Sequence, residues 1–236
     1  MKDGVPLFMQ TTDFTCGSCA ILMVWRYFDS NVQLSERNEF LIWTEIMGLP
    51  FKFSSPYRIA EFFIKKDFEV KLLMKQEINS EDITLLECCL VEPAERKLFL
   101  DFFQASNRIL KSRVASAILN KKPTMSDIKK ALSEHSPIIA LVDYHYTATD
   151  KGVRAPSHLP HWIVVTEYEN ERFHVNDPAQ GKIIIEERVL EKALDTYSKI
   201  GWPSALIVVK SKINDRNPKD IENLKLCLNR EYYDRV

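Results

Sequence analysis

Residues 9–23, MQTTDFTCGSCAILM, carry the decisive signal in this chain: Gln10 and Cys16 are separated by five residues, and Cys16 opens an apolar-periodic run. Ile21, Leu22, Trp25 and Phe28 recur at helical spacing and would bury one face of that run. Asp13 and Thr15, with small residues just after them, suit a helix entrance, which places Cys16 in the first turn. Unpaired amide groups and the positive end of the helix dipole favour an anion there, and a nearby imidazolium adds to the effect. Taken alone, Cys16 could equally be a buried structural cysteine. The downstream sequence argues against that.

HWIVVTEYE, residues 161–169, is rich in β-branched and aromatic residues and reads as a strand; RFHVND, residues 172–177, reads as a second. Glu169-Asn170-Glu171 lies between them as a tight hairpin turn would. His161 and Asp177 are nearly equidistant from that turn. Closing the hairpin therefore brings them to opposing or diagonal positions, with Cβ atoms within about 8 Å. A carboxylate there can accept the ring N–H and fix the tautomer that turns the other nitrogen toward a thiol. The sequence leaves the register open, so Asn176 stands as a second candidate for the orienting role. Cys16 as nucleophile, His161 as proton carrier, Asp177 as orienter and the Gln10 amide as oxyanion donor are what acyl transfer through a thiolate requires.

These blocks resemble the papain-like cysteine peptidases of the bacteriocin-processing, double-glycine-leader type, and in particular their free-standing, non-transporter relatives. The family pattern of glutamine, five residues, then Cys-Gly with small residues is matched by Gln10 and Cys16-Gly17-Ser18-Cys19-Ala20. Its second pattern, His before an apolar strand and then Asp-Pro and a glycine, is matched by His161-Trp162-Ile163-Val164-Val165 and Asp177-Pro178-Ala179-Gln180-Gly181. The segment NEFLIWTEIMGLPFKFSSPYRIAEFF is similar in flavour to the free-standing branch. The resemblance covers most of residues 1–210, with its specificity in the two catalytic blocks. It implies Cys16 as nucleophile, His161 as general base and acid, Asp177 as orienter, and the Gln10 amide with the Cys16 backbone N–H as oxyanion hole. One position departs from the pattern: Cys19 stands where a small or apolar residue is more usual, a second thiol that could oxidise with Cys16. A shared fold does not by itself establish proteolysis, since the same site can pass an acyl group to an amine or another thiol.

Composition bounds the remaining classes. The chain has 236 residues, 45% hydrophobic and 28% charged, which suits one domain with insertions and argues against a membrane protein. No stretch approaches the ~20 apolar residues of a spanning helix, and MKDGVPLFMQ lacks a signal peptide's apolar core. Thirty-two basic and 33 acidic side chains give a formal charge of −1, so no global field draws nucleic acid or anionic lipid. Five cysteines without an export signal point to a reduced, cytoplasmic setting.

Other motifs invite narrower readings. Cys16-Gly17-Ser18-Cys19 has thioredoxin-like redox spacing at a helix start, yet too little chain precedes it for the strand of a βαβ unit. As half a zinc site it lacks a second pair, because the other cysteines are Cys88-Cys89 and Cys227. His158 and His161, with His145 and Asp143 nearby in sequence, could gather a metal, but RAPSHLPH reads better as a loop at a cleft rim. His174 alternates with Phe173 and Val175 on a strand.

In the N-terminal half, Ser35-Glu36-Arg37 opens a second helix through Phe40, Ile42 and Trp43. Ser55-Pro56 reads as an N-cap with proline at the first helical position. FEVKLLM, residues 68–74, reads as a strand, and 94–120 as a long amphipathic helical region. Thr124 to Asp127 resembles a capping box. From residue 138 the period changes: PIIALVDYHY, HWIVVTEYE, RFHVND, KIIIEE and SALIVVK are five candidate strands, with RVLEKALDTYS a helix before the last. The loop from Thr147 to Pro160 would wall the substrate channel.

The expectation is an α+β fold, papain-like by resemblance, with a helical N-terminal half whose nucleophile helix packs on a C-terminal antiparallel sheet. Residues 1–210 would form the domain, with a helical insertion at about 75–120, and residues 211–236 a charged, helical tail. The expected activity is acyl transfer through a thioester on Cys16, foremost peptide or amide hydrolysis. The alternatives are amide formation from a carrier protein's acyl thioester, and thiol-disulfide redox chemistry at Cys16 and Cys19. The expected partners are a peptide or acyl-thioester substrate and, for the biosynthetic variant, a carrier protein. No cofactor, metal, nucleic acid or membrane partner is expected.

Overall fold

Alternating apolar residues in the C-terminal half build a sheet that extends beyond that half. The computed structural model describes residues 4–47, 54–74, 105–106, 108–150, 159–199 and 204–212. Among them are seven strands: β1 (Phe68–Leu73), β2 (Ile118–Leu119), β3 (Ile138–Asp143), β4 (Pro160–Glu169), β5 (Arg172–Asp177), β6 (Gly181–Glu186) and β7 (Ala205–Lys212). They form one sheet in the order β2-β1-β7-β3-β4-β5-β6. Every neighbouring pair is antiparallel except β1 with β2.

Three helices precede the sheet's C-terminal strands: α1 (Cys16–Phe28), α2 (Glu36–Ile46) and α3 (Pro56–Ile64). Three more are α4 (Met125–Ser133), α5 (Tyr144–Asp150) and α6 (Glu187–Lys199). Their starts follow the cap chemistry read from the sequence. The Ser35 hydroxyl accepts from the Asn38 N–H, and the Ser55 hydroxyl accepts from the Tyr57 N–H with Pro56 in the first turn. Thr124 and Asp127 form a reciprocal capping box.

The middle of the sheet, β3 with the adjoining parts of β4 and β7, is buried on both faces. Ile139, Leu141, Trp162, Val164, Ala205, Ile207 and Val209 join Ala20–Val24 and the α3 side chains in one core. The alternate residues, among them Ile138, Ala140, Val142, Ile163 and Val165, pack with Ile128, Leu190 and Leu194 in a second. Phe62, Phe63 and Phe68 are fully buried in the first core, with edge-to-face contacts at 5.6 Å from Phe63 to each of the others. Each such ring contributes roughly 1.5–3 kcal/mol by burial. The helical N-terminal half, with the Cys16 helix packed on a mostly antiparallel sheet, is the papain-like α+β arrangement that the resemblance implied.

Two elements differ from expectation. Tyr144-His145-Tyr146 begins α5 rather than extending β3, because the Asp143 carboxylate accepts the His145 N–H at 3.1 Å and turns the chain. Ala115–Ala117 is a single 3-10 turn and Ile118–Leu119 is β2, paired in parallel with Leu72 and Leu73, where a helix was expected to continue. Residues 108–113 are helical; residues 75–104 and 107 of the proposed insertion, the loop at 151–158 with His158, and the tail from residue 213 lie outside the described residues.

Candidate active site

The first turn of α1 meets the sheet where space is scarcest. A Cβ on Gly17 would stand 2.5 Å from the Ser54 hydroxyl oxygen, 2.8 Å from the Ser54 Cβ and 3.3 Å from Trp162. Trp162 in turn donates its indole N–H to the Ser54 carbonyl at 3.2 Å. Glycine after the cysteine is thus the condition for α1 to press its start against β4. Cys16 is half-buried, and Thr15, the N-cap residue, makes no side-chain cap to the first turn.

The β4–β5 hairpin positions the histidine. Asn170 and Glu171 both take positive φ, 50° and 60°, as a two-residue hairpin turn of the I′ kind requires. The turn pairs Glu169 with Arg172, and a one-residue register shift between Val165 and Glu167 then pairs Val164 with Asn176. Continued by one residue, it sets Asp177 beside Ile163 and diagonal to His161. His161 Nε2 and Asp177 Oδ1 are 2.8 Å apart, with both side chains buried.

The Asp177 carboxylate is gripped from the turn that follows it. Oδ1 also accepts the backbone N–H of Ala179 at 2.7 Å and of Gln180 at 3.2 Å, and Oδ2 accepts the Gln180 side-chain amide at 2.7 Å. Gly181 closes this turn at φ 91° and pairs back with Asp177. Burial alone would push the Asp177 carboxyl up; the His161 hydrogen bond and charge, with the Gln180 and Ala179 donors, outweigh it and hold it below the usual carboxylate range. Asn176 points elsewhere, donating to the Val5 and Pro6 carbonyls at 2.9 and 3.2 Å. It ties the N-terminal segment to the sheet and leaves the contact to His161 with Asp177.

Burial likewise works against a charged His161, but the Asp177 hydrogen bond, the neighbouring Cys16 sulfur and the Asp177 charge outweigh it and take its pKa from 6.5 to about 10. Because Nε2 faces Asp177, the other ring nitrogen is the one left for the thiol. Tyr144 lies over the imidazole with ring centroids 4.6 Å apart and planes at 51°. Burial and the Asp177 carboxylate push its phenol up. Gln10 reaches the same place through its backbone, whose N–H donates to the Pro178 carbonyl at 2.9 Å; its side-chain Oε1 is buried without a partner among the described residues. All four residues singled out from the sequence therefore gather in one region, linked through the turn after Asp177.

Cys19 is fully buried, and its thiol is pushed far up by burial first and by the Glu39 carboxylate second. A thiol held protonated in that way gives no support to dithiol chemistry. Among the described residues no cluster of His, Cys, Asp and Glu gathers as metal ligands. None of the described helices is long and apolar enough to cross a membrane.

Two neighbours of the site were not picked out from the sequence. Tyr144 could have been found by pairing VDY with PHW across the β3–β4 ladder, where Val142 faces His161. Gln180 sits inside the Asp-Pro-x-x-Gly block itself, and the tendency of an aspartate to bond the backbone two residues on was its only local sign.

A family model described as the Peptidase_C39 like family matches residues 5–198. Two solved structures are similar over most of their length. One is a double glycine motif protease from an AMS/PCAT transporter in complex with the leader peptide, 14% identical, covering 88% of this chain and 91% of that one at a TM-score of 0.45. The other is the peptidase domain of Streptococcus ComA, a bi-functional ABC transporter involved in a quorum sensing pathway, 12% identical, covering 88% and 98% at a TM-score of 0.47. No curated protein matches the chain.

Proposed function

The chain belongs to the Peptidase_C39 like family, and on that premise we propose that it is a cysteine peptidase-like hydrolase that cleaves a peptide or amide bond through a thioester on Cys16. The observation that carries this reading is the buried His161 imidazole, hydrogen-bonded through Nε2 to the Asp177 carboxylate at 2.8 Å, with Cys16 among the neighbours that raise its pKa to about 10. An imidazole that carries its proton well above neutral pH is the partner a sulfur nucleophile needs for attack and for protonating the leaving amine.

From that state the chemistry follows in order. The Cys16 sulfur attacks the substrate carbonyl carbon, and the C=O electron pair moves onto oxygen. The Gln10 side-chain N–H and the Cys16 backbone N–H donate to that oxyanion, aided by the positive end of α1. The His161 imidazolium gives its proton to the departing amine, leaving a thioester and a neutral ring. The ring then takes a proton from water as its oxygen attacks the thioester, and release of the acid restores the thiolate and the imidazolium. Asp177 keeps the Nε2–H in place throughout and stays ionised.

The test is the rate of Cys16 alkylation by iodoacetamide, followed by intact mass across pH in the wild type and His161→Ala. Labelling that stays fast at about pH 6 in the wild type and slows at least tenfold in the variant is expected of an imidazole-paired thiolate. Peptide substrates, with and without an amine acceptor, then separate hydrolysis from transfer. Identical labelling profiles in the two proteins would sink the proposal.

A further inference from the structure

We propose that Glu39 is a positioning residue of this site: a buried carboxylate on α2 that holds the Thr11–Thr15 connection so that Gln10 and the open first turn of α1 face the oxyanion. The inference rests on the hydrolase reading above and adds a residue to it.

Glu39 is fully buried. Among the described residues it has no cation beside it; its compensation is a set of hydrogen-bond donors from one stretch of chain. The Thr11 N–H donates to Oε1 at 2.9 Å, the Thr11 hydroxyl to Oε2 at 2.9 Å, and the Thr15 hydroxyl to Oε1. The Cys19 thiol feels the same carboxylate, which adds to burial in pushing its pKa up. Thr12 is drawn in through its hydroxyl, 3.0 Å from that of Thr15. Every donor thus belongs to the five residues between Gln10 and Cys16 or to the first turn of α1. The stretch has two anchors: the Pro178 carbonyl at its start, which takes the Gln10 N–H, and Glu39 along the rest.

The second effect is on the helix end. A threonine at an N-cap ordinarily has extended backbone and accepts an N–H of the first turn with its hydroxyl oxygen. Thr15, at φ −98° and ψ 12°, is outside that conformation, and its hydroxyl is turned to donate to Glu39. Among the described residues the N–H groups of the first turn keep no side-chain acceptor, so the positive end of the helix beside Cys16 is left without a capping oxygen. Cys19, the one residue that departs from the family pattern, is buried where Glu39 helps hold its thiol protonated, and on this inference it is a further donor to the carboxylate.

A role in aiming oxyanion donors makes a prediction that a role in stability alone does not. Alkylation of Cys16 by iodoacetamide displaces iodide and develops no oxyanion, whereas acylation by p-nitrophenyl acetate passes through one. Both rates are to be read by intact mass on the full chain for the wild type, Gln10→Ala, Glu39→Gln, Glu39→Ala and the double variant Gln10→Ala/Glu39→Ala. Removing an oxyanion donor outright costs about 10²–10³ in rate, so misplacing one should slow acylation by Glu39→Ala by on the order of 10–100-fold. Alkylation should stay within about threefold. Glu39→Gln, which keeps the shape and one acceptor oxygen, should recover much of the acylation rate, and it serves as the test variant if Glu39→Ala does not fold. The double variant should be little slower than the slower single one, since both changes act on one oxyanion contact.

Acylation and alkylation falling in parallel, or neither falling, would overturn the assignment of Glu39. If wild-type acylation were itself independent of Gln10, the oxyanion hole of the hydrolase reading would fail, and this inference with it. Dependence on Gln10 without dependence on Glu39 would refute the inference alone.

Discussion

The site is held from two sides, and the two are built differently. The β4–β5 hairpin sets His161 and Asp177 by ladder register and by a turn only a few residues away, with the Asp177 donors at Ala179 and Gln180. The stretch from Gln10 to Cys16 takes its shape from Glu39, more than twenty residues downstream on another helix. A contact fixed by local periodicity tolerates change elsewhere in the chain. A contact fixed by a distant buried charge fails when either end is altered. The hairpin side should therefore show large catalytic effects confined to the residues that touch the imidazole, and the loop side smaller effects spread over its supports.

The largest expected effect tests the hairpin side. His161→Ala and Asp177→Ala should each lower peptide turnover on the order of 10³–10⁴-fold, leaving the residual rate that binding and the oxyanion hole support. Asn176→Ala, one residue away, should cost about 1–2 kcal/mol of stability by freeing the Val5 and Pro6 carbonyls while turnover changes by only a few-fold. Steady-state kinetics with urea denaturation on the three variants checks both halves. Equal losses from Asn176→Ala and Asp177→Ala would return the orienting role to Asn176.

Gly17→Ala comes next and strikes where the two sides meet. The added Cβ would stand 2.5 Å from the Ser54 hydroxyl oxygen and 2.8 Å from the Ser54 Cβ, so α1 must shift away from β4. Overpacking of this kind costs about 1–3 kcal/mol, and a shift of the nucleophile helix should lower turnover about 10²-fold, since a displacement of about 1 Å can do so. Thermal melting and kcat measure the two consequences. A variant with wild-type stability and turnover would show that the helix start has room that the geometry denies it.

Much of the hairpin side was legible in the sequence. His161 and Asp177 lie nine and seven residues from Asn170, close enough to equal to bring them near each other, and two central residues that take positive φ form the turn; the one-residue shift between Val165 and Glu167 that completes the register had no sign in the sequence. Ser35, Ser55 and Thr124 announced their helices through cap chemistry that acts over three residues. The loop side was not legible, because nothing near Glu39 in sequence says that its carboxylate turns inward to Thr11 and Thr15. The strand expected at Tyr144–Tyr146 failed for a related reason: the Asp143 side chain, competing for the His145 N–H, overrode the β-propensity of two tyrosines. Pattern reading recovers what neighbours along the chain decide and misses what side-chain competition decides.

Gln180→Ala offers a finer view of the hairpin side through pH. Asp177 is depressed below 3.8 in the folded chain, so its contribution to stability is present above that pH and is lost as pH falls through the folded value. Removing one donor should raise the folded value toward 3.8 and cost about 1 kcal/mol near pH 6. The gap between variant and wild type should close in acid, once both carry a protonated Asp177. His161, raised from 6.5 to about 10, has the opposite sign: its contribution is full below 6.5 and is lost as pH rises through about 10. Urea denaturation at several pH values measures the gap. A difference that persists unchanged at a pH where Asp177 is protonated in both proteins would assign Gln180 to packing and not to the carboxylate.

The smallest expected effect lies on the loop side, at Cys19. Its thiol is buried and held protonated by its surroundings and by Glu39, so it has no part in the thiolate chemistry of Cys16. Cys19→Ser keeps a donor of nearly the same size facing Glu39 and should retain at least about half of the turnover; Cys19→Ala, which removes the donor, should lose more. The order of the two variants is the informative quantity. A dithiol mechanism requires both sulfurs and predicts that serine and alanine are equally inactive, whereas a donor role predicts serine above alanine. Should alanine prove the better of the two, Cys19 is only core packing, and the Glu39 network holds the loop with the two threonines alone.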